Sequence, residues 1–205
     1  MSDEAARVID LYERHAAAWD QERSRDLTER FWLDRFLSLV RPDGALLDIG
    51  CGSAEPIGRY LIDTGRPVVG IDASSNMIAL CRQRFPVGDW RVGDMRTLDL
   101  GQVFDGIVAW DSFFHLSRED QRRVLPLFAN HAAPNAALLF TSGPADGVAT
   151  GSCHGEPLYH ASLGPQEYRT LLAQSRFEVV AHVTQDPDCG GRTVWLCRKI
   201  DGRAQ

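Results

Sequence analysis

The segment Leu46-Leu47-Asp48-Ile49-Gly50-Cys51-Gly52-Ser53-Ala54-Glu55-Pro56 constrains this chain more than any other. Its first residues form a short apolar run broken only by Asp48, Gly-x-Gly follows at once, and Pro56 suits the first turn of a helix. A strand that ends in side-chain-free backbone ahead of a helix lets a ligand approach the main chain at the strand's carboxyl end. Twenty-two residues beyond Gly50, a second apolar run ends at Asp72, where a carboxylate can accept both hydroxyls of a ribose. The spacing fits one adenosine-containing ligand.

The rest of the chain repeats this rhythm. Residues 45–49, 68–71, 90–92, 104–110 and 136–141 are short apolar runs of the kind buried on both faces of a parallel sheet. Helical stretches separate them: one follows Pro56, one is capped by Ser75 and carries Met77, Ile78, Cys81 and Phe85, and one opens on Ser117 with Asp120 and should bend at Pro126. Ahead of the first strand, residues 4–40 read as two helices, with Ile9, Tyr12, Ala16 and Trp19 and then Phe31, Trp32, Phe36, Leu37 and Val40 at helical spacing. After a helix around 168–174, strands at 177–184 and 193–198 have no helix between them and must be antiparallel. The expected architecture is α/β: a doubly wound, Rossmann-like, seven-stranded sheet, mostly parallel with a C-terminal antiparallel strand pair, plus an N-terminal helical lid. We read residues 1–205 as a single domain, with 1–40 as lid and 41–205 as core, and 143–164 as an irregular substrate segment.

Glu55 narrows the ligand. A dinucleotide fingerprint wants a third glycine there, where the chain closes on a pyrophosphate, and a carboxylate would meet two phosphates. No GxxxxGK[ST] run occurs, which excludes a Walker loop. A ligand with adenosine, no phosphate and a positive centre suits the acidic loop, and S-adenosylmethionine answers that description. On these residues the chain resembles the class I S-adenosylmethionine-dependent methyltransferases from about Tyr12 to Arg198. Asp48-Ile49-Gly50-Cys51-Gly52 is similar to their first motif, Gly70-Ile71-Asp72-Ala73-Ser74 with Met77 to the second, and Gly93-Asp94-Met95 to the third; Ala54 stands where their third glycine is usual. The resemblance implies that Asp48, Gly50, Cys51, Gly52 and Ser53 surround the methionine moiety, and that Asp72 and Ala73 hold the ribose. It further implies that Met77 packs on adenine, Asp94 meets its amino group and Met95 offers a backbone amide. Tyr12, Arg23 and Trp110 complete the cofactor set that it implies, the first two closing over the ligand.

The methyl acceptor should arrive at the end of the fourth strand, in Trp110-Asp111-Ser112-Phe113-Phe114-His115-Leu116, because α/β sites collect their groups at carboxyl strand ends. Trp110, Phe113 and Phe114 offer apolar walls, and His115 is the candidate general base, since imidazole takes a proton near neutral pH. A [DN]PP[YFW] run is absent, and a Lys-Asp-Lys-Glu set is impossible with Lys199 as the one lysine. The segment 143–164 adds His154, Tyr159 and His160 as polar contacts. Cys153, His154 and His160 lack a fourth ligand at metal spacing, so no metal is expected.

Composition limits the partners. With a net charge of −6 and no basic block, the chain is poorly suited to grip nucleic acid. No apolar run approaches a membrane span, the start Met1-Ser2-Asp3-Glu4 is acidic where a secretory signal is basic, and five cysteines form no close pair. A cytoplasmic enzyme acting on a small molecule, with an oxygen, nitrogen or sulfur acceptor, is the expectation. The alternatives are a non-catalytic S-adenosylmethionine-binding protein and a nicotinamide-dependent oxidoreductase, the second opposed by Glu55.

Overall fold

The computed structural model describes residues 3–200. Met1, Ser2 and residues 201–205, which belong to the single-domain reading and, at the start, to the acidic N-terminus, lie outside the described residues. The elements are helices α1 (Asp3–Glu22), α2 (Arg30–Leu39), α3 (Ile57–Asp63), α4 (Ser75–Arg84), α5 (Arg118–His131) and α6 (Pro165–Gln174). The strands are β1 (Leu46–Ile49), β2 (Val68–Asp72), β3 (Asp89–Val92), β4 (Phe104–Ala109), β5 (Ala132–Ser142), β6 (Gly147–Cys153), β7 (Glu156–Ser162), β8 (Phe177–Asp186) and β9 (Arg192–Lys199).

Seven strands form one sheet in the order β3-β2-β1-β4-β5-β9-β8, parallel from β3 to β5 and antiparallel at β9 and β8. Every residue of β1 is buried, as a strand covered on both faces requires. Leu47 and Ile49 face a core with Phe113, Phe128, Phe140, Tyr168 and Trp195 beneath α5 and α6. Leu46 points the other way, toward Trp32, Leu33, Phe36, Leu61 and Ile78 of α2, α3 and α4. Strand order reverses between β1 and β4, which opens a crevice outside their carboxyl ends.

The expected elements form with two corrections. Residues 143–164 contain regular structure, the antiparallel hairpin β6–β7, whose register brings Cys153 opposite Glu156. Its turn, His154-Gly155, has φ of 50° and 81°, the primed geometry that matches strand twist. The hairpin needs α1 to bury its face: Ala5, Val8 and Leu11 pack on Leu158, Tyr159 and Ala161. The second correction concerns α4, which is capped by Ser74 rather than Ser75; the Ser74 hydroxyl accepts the Met77 amide at 3.1 Å. Ser117 caps α5 as expected, accepting from the Asp120 amide, and the helix continues through Pro126.

Helix α1 lies over the carboxyl ends of the strands. Glu13 fastens it to the start of α4, accepting hydrogen bonds from the Ser74 hydroxyl at 2.5 Å, the Ser75 hydroxyl at 2.6 Å and the Asn76 amide at 3.1 Å. Arg14 and His15 both reach Glu156 on the hairpin at 2.7 Å. Together α1 and the hairpin roof the crevice.

Candidate functional site

Two cavities open under that roof. The first, about 130 Å³, runs along the β1, β2 and β3 ends and is lined by Asp48, Gly50, Cys51, Gly52, Asp72, Ala73, Met77, Asp94, Met95 and Trp110, among others. The second, about 620 Å³, lies between the β4 end, the hairpin and the β8–β9 turn. Tyr12, Trp19, Arg23, Asp111 and His115 line both, so the two meet at these side chains.

The first cavity is built by the glycine turn. Gly50 has φ +70° and a Cβ there would lie 2.3 Å from the Cβ of Ser112, so the turn can sit against the β4 end only with glycine. Ser112 locks that contact by donating to the Ile49 carbonyl at 2.7 Å. Asp72 accepts the Gly52 amide on Oδ2 and the Ser74 amide on Oδ1, each at 2.9 Å, which fixes its carboxylate and leaves further acceptor capacity on both oxygens. Burial raises its pKa and those two amides oppose the rise. Asp48 is more strongly affected: burial first, then neighbouring Asp72, push it up to about 7, with Arg23 pulling the other way. Asp94 caps the short turn Met95–Thr97 and is held by a forked ion pair with Arg96, so its carboxylate is already heavily engaged.

The shared wall carries an ordered polar chain. His115 Nδ1 lies 3.0 Å from the Tyr159 carbonyl, which can only accept, so the ring proton sits on Nδ1. Nε2 is then an acceptor, and the Tyr12 hydroxyl 3.1 Å away donates to it. Burial pushes His115 down to about 4 and lifts the Tyr12 phenol well above its ordinary value, so both are neutral near pH 7. His160 stands beside them, its ring centre 4.9 Å from that of His115 and 5.1 Å from that of Phe114.

Several sequence-predicted residues lie elsewhere. Phe113 is fully buried against Phe128, Phe140 and Tyr168, because the turn after β4 sends alternate rings to opposite sides and only Phe114 reaches the second cavity. The Tyr159 side chain packs under α1, leaving its carbonyl to serve His115. His154 sits at the hairpin turn, stacked on His15 and 3.7 Å from Glu22, away from both cavities. The Ser53 side chain is fully buried, so only its backbone is left to the role expected of it, and Trp110 borders the first cavity, as in the expected cofactor set, but not the second. Sequence reasoning gave no role to Glu13, Trp19, Asp111 or Arg192. Glu13 and Trp19 read as ordinary positions of an amphipathic helix, and Arg192 as one of many arginines.

A nucleoside-binding α/β enzyme is what this fold and site define. The donor set suits S-adenosylmethionine: carboxylates Asp48 and Asp72 favour a cationic ligand with a ribose, Met77 and Met95 offer apolar surface, and the buried Trp110 Nε1 has no hydrogen-bond partner among the described residues. The family described as a methyltransferase domain matches residues 46–135. Over 99% of its length the chain is 31% identical to the dTDP-4-amino-2,3,4,6-tetradeoxy-D-glucose N,N-dimethyltransferase of Saccharopolyspora spinosa, 96% of which is covered. Over 46% of its length it is 32% identical to the dTDP-3-amino-3,6-dideoxy-alpha-D-glucopyranose N,N-dimethyltransferase of Streptomyces fradiae, covering 38% of that protein. Among solved structures, the S-adenosylmethionine-bound amino pentose methyltransferase CalS10 of Micromonospora echinaspora superposes with a TM-score of 0.70 at 21% identity, over 91% of this chain and 96% of that one. The chain belongs to the class I S-adenosylmethionine-dependent methyltransferases, and S-adenosylmethionine is its cofactor. Among the described residues no group of three His, Cys, Asp or Glu could hold a metal ion, all five cysteines are free, and no helix is long and apolar enough to cross a membrane.

Proposed function

We propose that this enzyme methylates the amino nitrogen of an amino sugar. The relatives named above, two of them N,N-dimethyltransferases of amino-deoxy sugars, support the acceptor class. The observation that carries the choice of nitrogen is the state of the shared wall. A sugar hydroxyl holds its proton tightly and needs a competent base, whereas a neutral amine already presents a lone pair. His115, pushed down to about 4 and already accepting from Tyr12, is a poor base for an alcohol. It suits an amine, which needs only orientation.

S-adenosylmethionine supplies a methyl already activated on a sulfonium and leaves as S-adenosylhomocysteine. The side chains position and desolvate. In this reading Asp72 accepts the ribose hydroxyls, the Gly50 to Gly52 backbone borders the methionine moiety, and Met77 with Met95 flanks the adenine. Asp94 reaches the adenine amino group only by sharing its carboxylate with Arg96. Tyr12, oriented by His115, turns its remaining oxygen lone pair to an acceptor N–H, and His160 with Phe114 lines the sugar's path. His115 is thus a positioning residue here, in place of the expected base.

The test offers the enzyme dTDP-3-amino-3,6-dideoxyglucose and the corresponding methyl glycoside, and follows S-adenosylhomocysteine release with the site of methylation read by NMR. N-methyl and N,N-dimethyl products are expected. Methylation of a sugar oxygen, or no turnover with either compound, would refute the proposal.

A further inference from the structure

The five side chains common to both cavities mark where methyl transfer must occur, because a group passing between two ligands passes where their sites touch. Among them Asp111 is the one carboxylate, and among the described residues no other acidic one lines the second cavity. It is also held in place by its own backbone and side chain. Its backbone takes φ +48°, unusual for a residue with a side chain, and is pinned by the Asp111 amide donating to the Thr141 hydroxyl at 2.8 Å. Next to it, Ser112 is fixed on the Ile49 carbonyl.

The carboxylate itself is gripped by Arg192 and, more loosely, by the Thr141 hydroxyl, which donates to Oδ1 at 3.4 Å. Arg192 donates through Nε to Oδ1 at 3.0 Å and Oδ2 at 2.9 Å, and through its Nη2 to Oδ2 at 2.8 Å. Arg192 is aimed by the β8–β9 turn, where Gly190 and Gly191 have positive φ, the Arg192 Nη1 donates to the Cys189 carbonyl, and Asp186 anchors to Trp32 Nε1 at 2.7 Å. With Arg192 Nε and Nη2 on one edge and the Thr141 hydroxyl on Oδ1, one of the roughly four lone-pair sites of the carboxylate is still open, and the side chain of Asp111 remains 22% exposed. Tyr12 and His115 line both cavities with it, and His160 lines the second.

We propose that Asp111, braced by Arg192, is the docking point of the acceptor amine: its free lone pair accepts an amine N–H, which directs the nitrogen lone pair toward the methyl. The same charge favours the product, in which the positive charge has moved onto nitrogen. This rests on the amine reading of the acceptor above. It adds a specificity element, since a hydroxyl must give up its proton on methylation and ends as a neutral ether with no charge to be held.

The test separates charge recognition from structure. The full chain, saturated with S-adenosylhomocysteine, which lacks the sulfonium charge, is titrated calorimetrically with methyl 3-trimethylammonio-3,6-dideoxyglucoside and with its neutral tert-butyl isostere. Wild-type protein should bind the cation about tenfold more tightly than the isostere. In Asp111→Asn, again measured on protein saturated with S-adenosylhomocysteine, the two should bind within twofold of each other. Equal binding by the wild type, or a preference that survives in Asp111→Asn, overturns the proposal. If that variant does not fold, Arg192→Gln serves: removing the counter-charge should widen the preference by at least threefold, and an unchanged preference overturns it. An intact, Asp111-dependent preference in an enzyme that leaves the parent amino sugar unmethylated would support Asp111 and count against the amino-sugar acceptor.

Discussion

Asp48 is buried at the wall of the first cavity with a pKa pushed up to about 7, so near neutrality it is divided between its two protonation states. A bound sulfonium favours the carboxylate and lowers that pKa, so S-adenosylmethionine binding at pH 7 should release up to about half a proton per site. Calorimetry in buffers of different ionisation enthalpy reads this directly, and Asp48→Asn should abolish it. Asp72→Ala removes the acceptor proposed for two ribose hydroxyls, each charge-assisted bond contributing about 1.5–3 kcal/mol in a favourable site. Cofactor affinity should fall at least about tenfold, measured by the same method. His115 offers a stability test. Its pKa is 6.5 in the unfolded chain and about 4 in the fold, so the unfolded state binds more protons between those values and stability is lost as pH falls through that window. His115→Gln should flatten urea-unfolding stability between pH 6.5 and pH 4 relative to wild type.

At the level of elements, the roof formed by α1 and the β6–β7 hairpin is tied down mainly by polar contacts. Glu13 holds α1 to the start of α4, the helix whose Met77 lines the cofactor cavity. Its carboxyl is held below its usual pKa by the Ser74 and Ser75 hydroxyls and the Asn76 amide. Glu13→Ala should leave the sheet intact and raise the cofactor dissociation rate about three- to tenfold in stopped-flow fluorescence, since a lid that opens more often releases its ligand sooner. The turn after β4 shows a sharper division of labour. Phe113→Ala should cost about 3–5 kcal/mol in denaturant unfolding, because it empties space between Phe128, Phe140 and Tyr168. Phe114→Ala should cost far less stability and instead lower kcat/KM for the acceptor.

Across the whole molecule, the crossover between β1 and β4 places a negatively lined cavity beside a roomier one with a single carboxylate. Asp48, Asp72, Glu55 and Asp94 on the cofactor side oppose a second phosphate-bearing moiety. NAD at 100 μM should therefore fail to displace bound S-adenosylmethionine in equilibrium dialysis. Measurable displacement would mean that the acidic wall does not set cofactor choice.

The sequence by itself determined the sheet and its cofactor edge. Local hydrophobic runs specify buried strands, and Gly50, Gly52 and Asp72 act through backbone geometry at strand ends, so their meaning is carried by a few adjacent residues. The 143–164 hairpin was not legible, because it is stabilised by burial against α1, some 140 residues away in the chain, and its primed turn uses His154-Gly155 rather than a more familiar pair. The two neighbouring rings Phe113 and Phe114 look alike in sequence and part only when the turn assigns one to the core. In the second cavity, sequence named Phe114, His115 and His160, but the pairings that give its wall its chemistry were decided by tertiary structure. Tyr12 with His115, and Asp111 with Arg192, are separated by 103 and 81 positions, and each pair acquires its chemistry only where helix, strand end and turn converge.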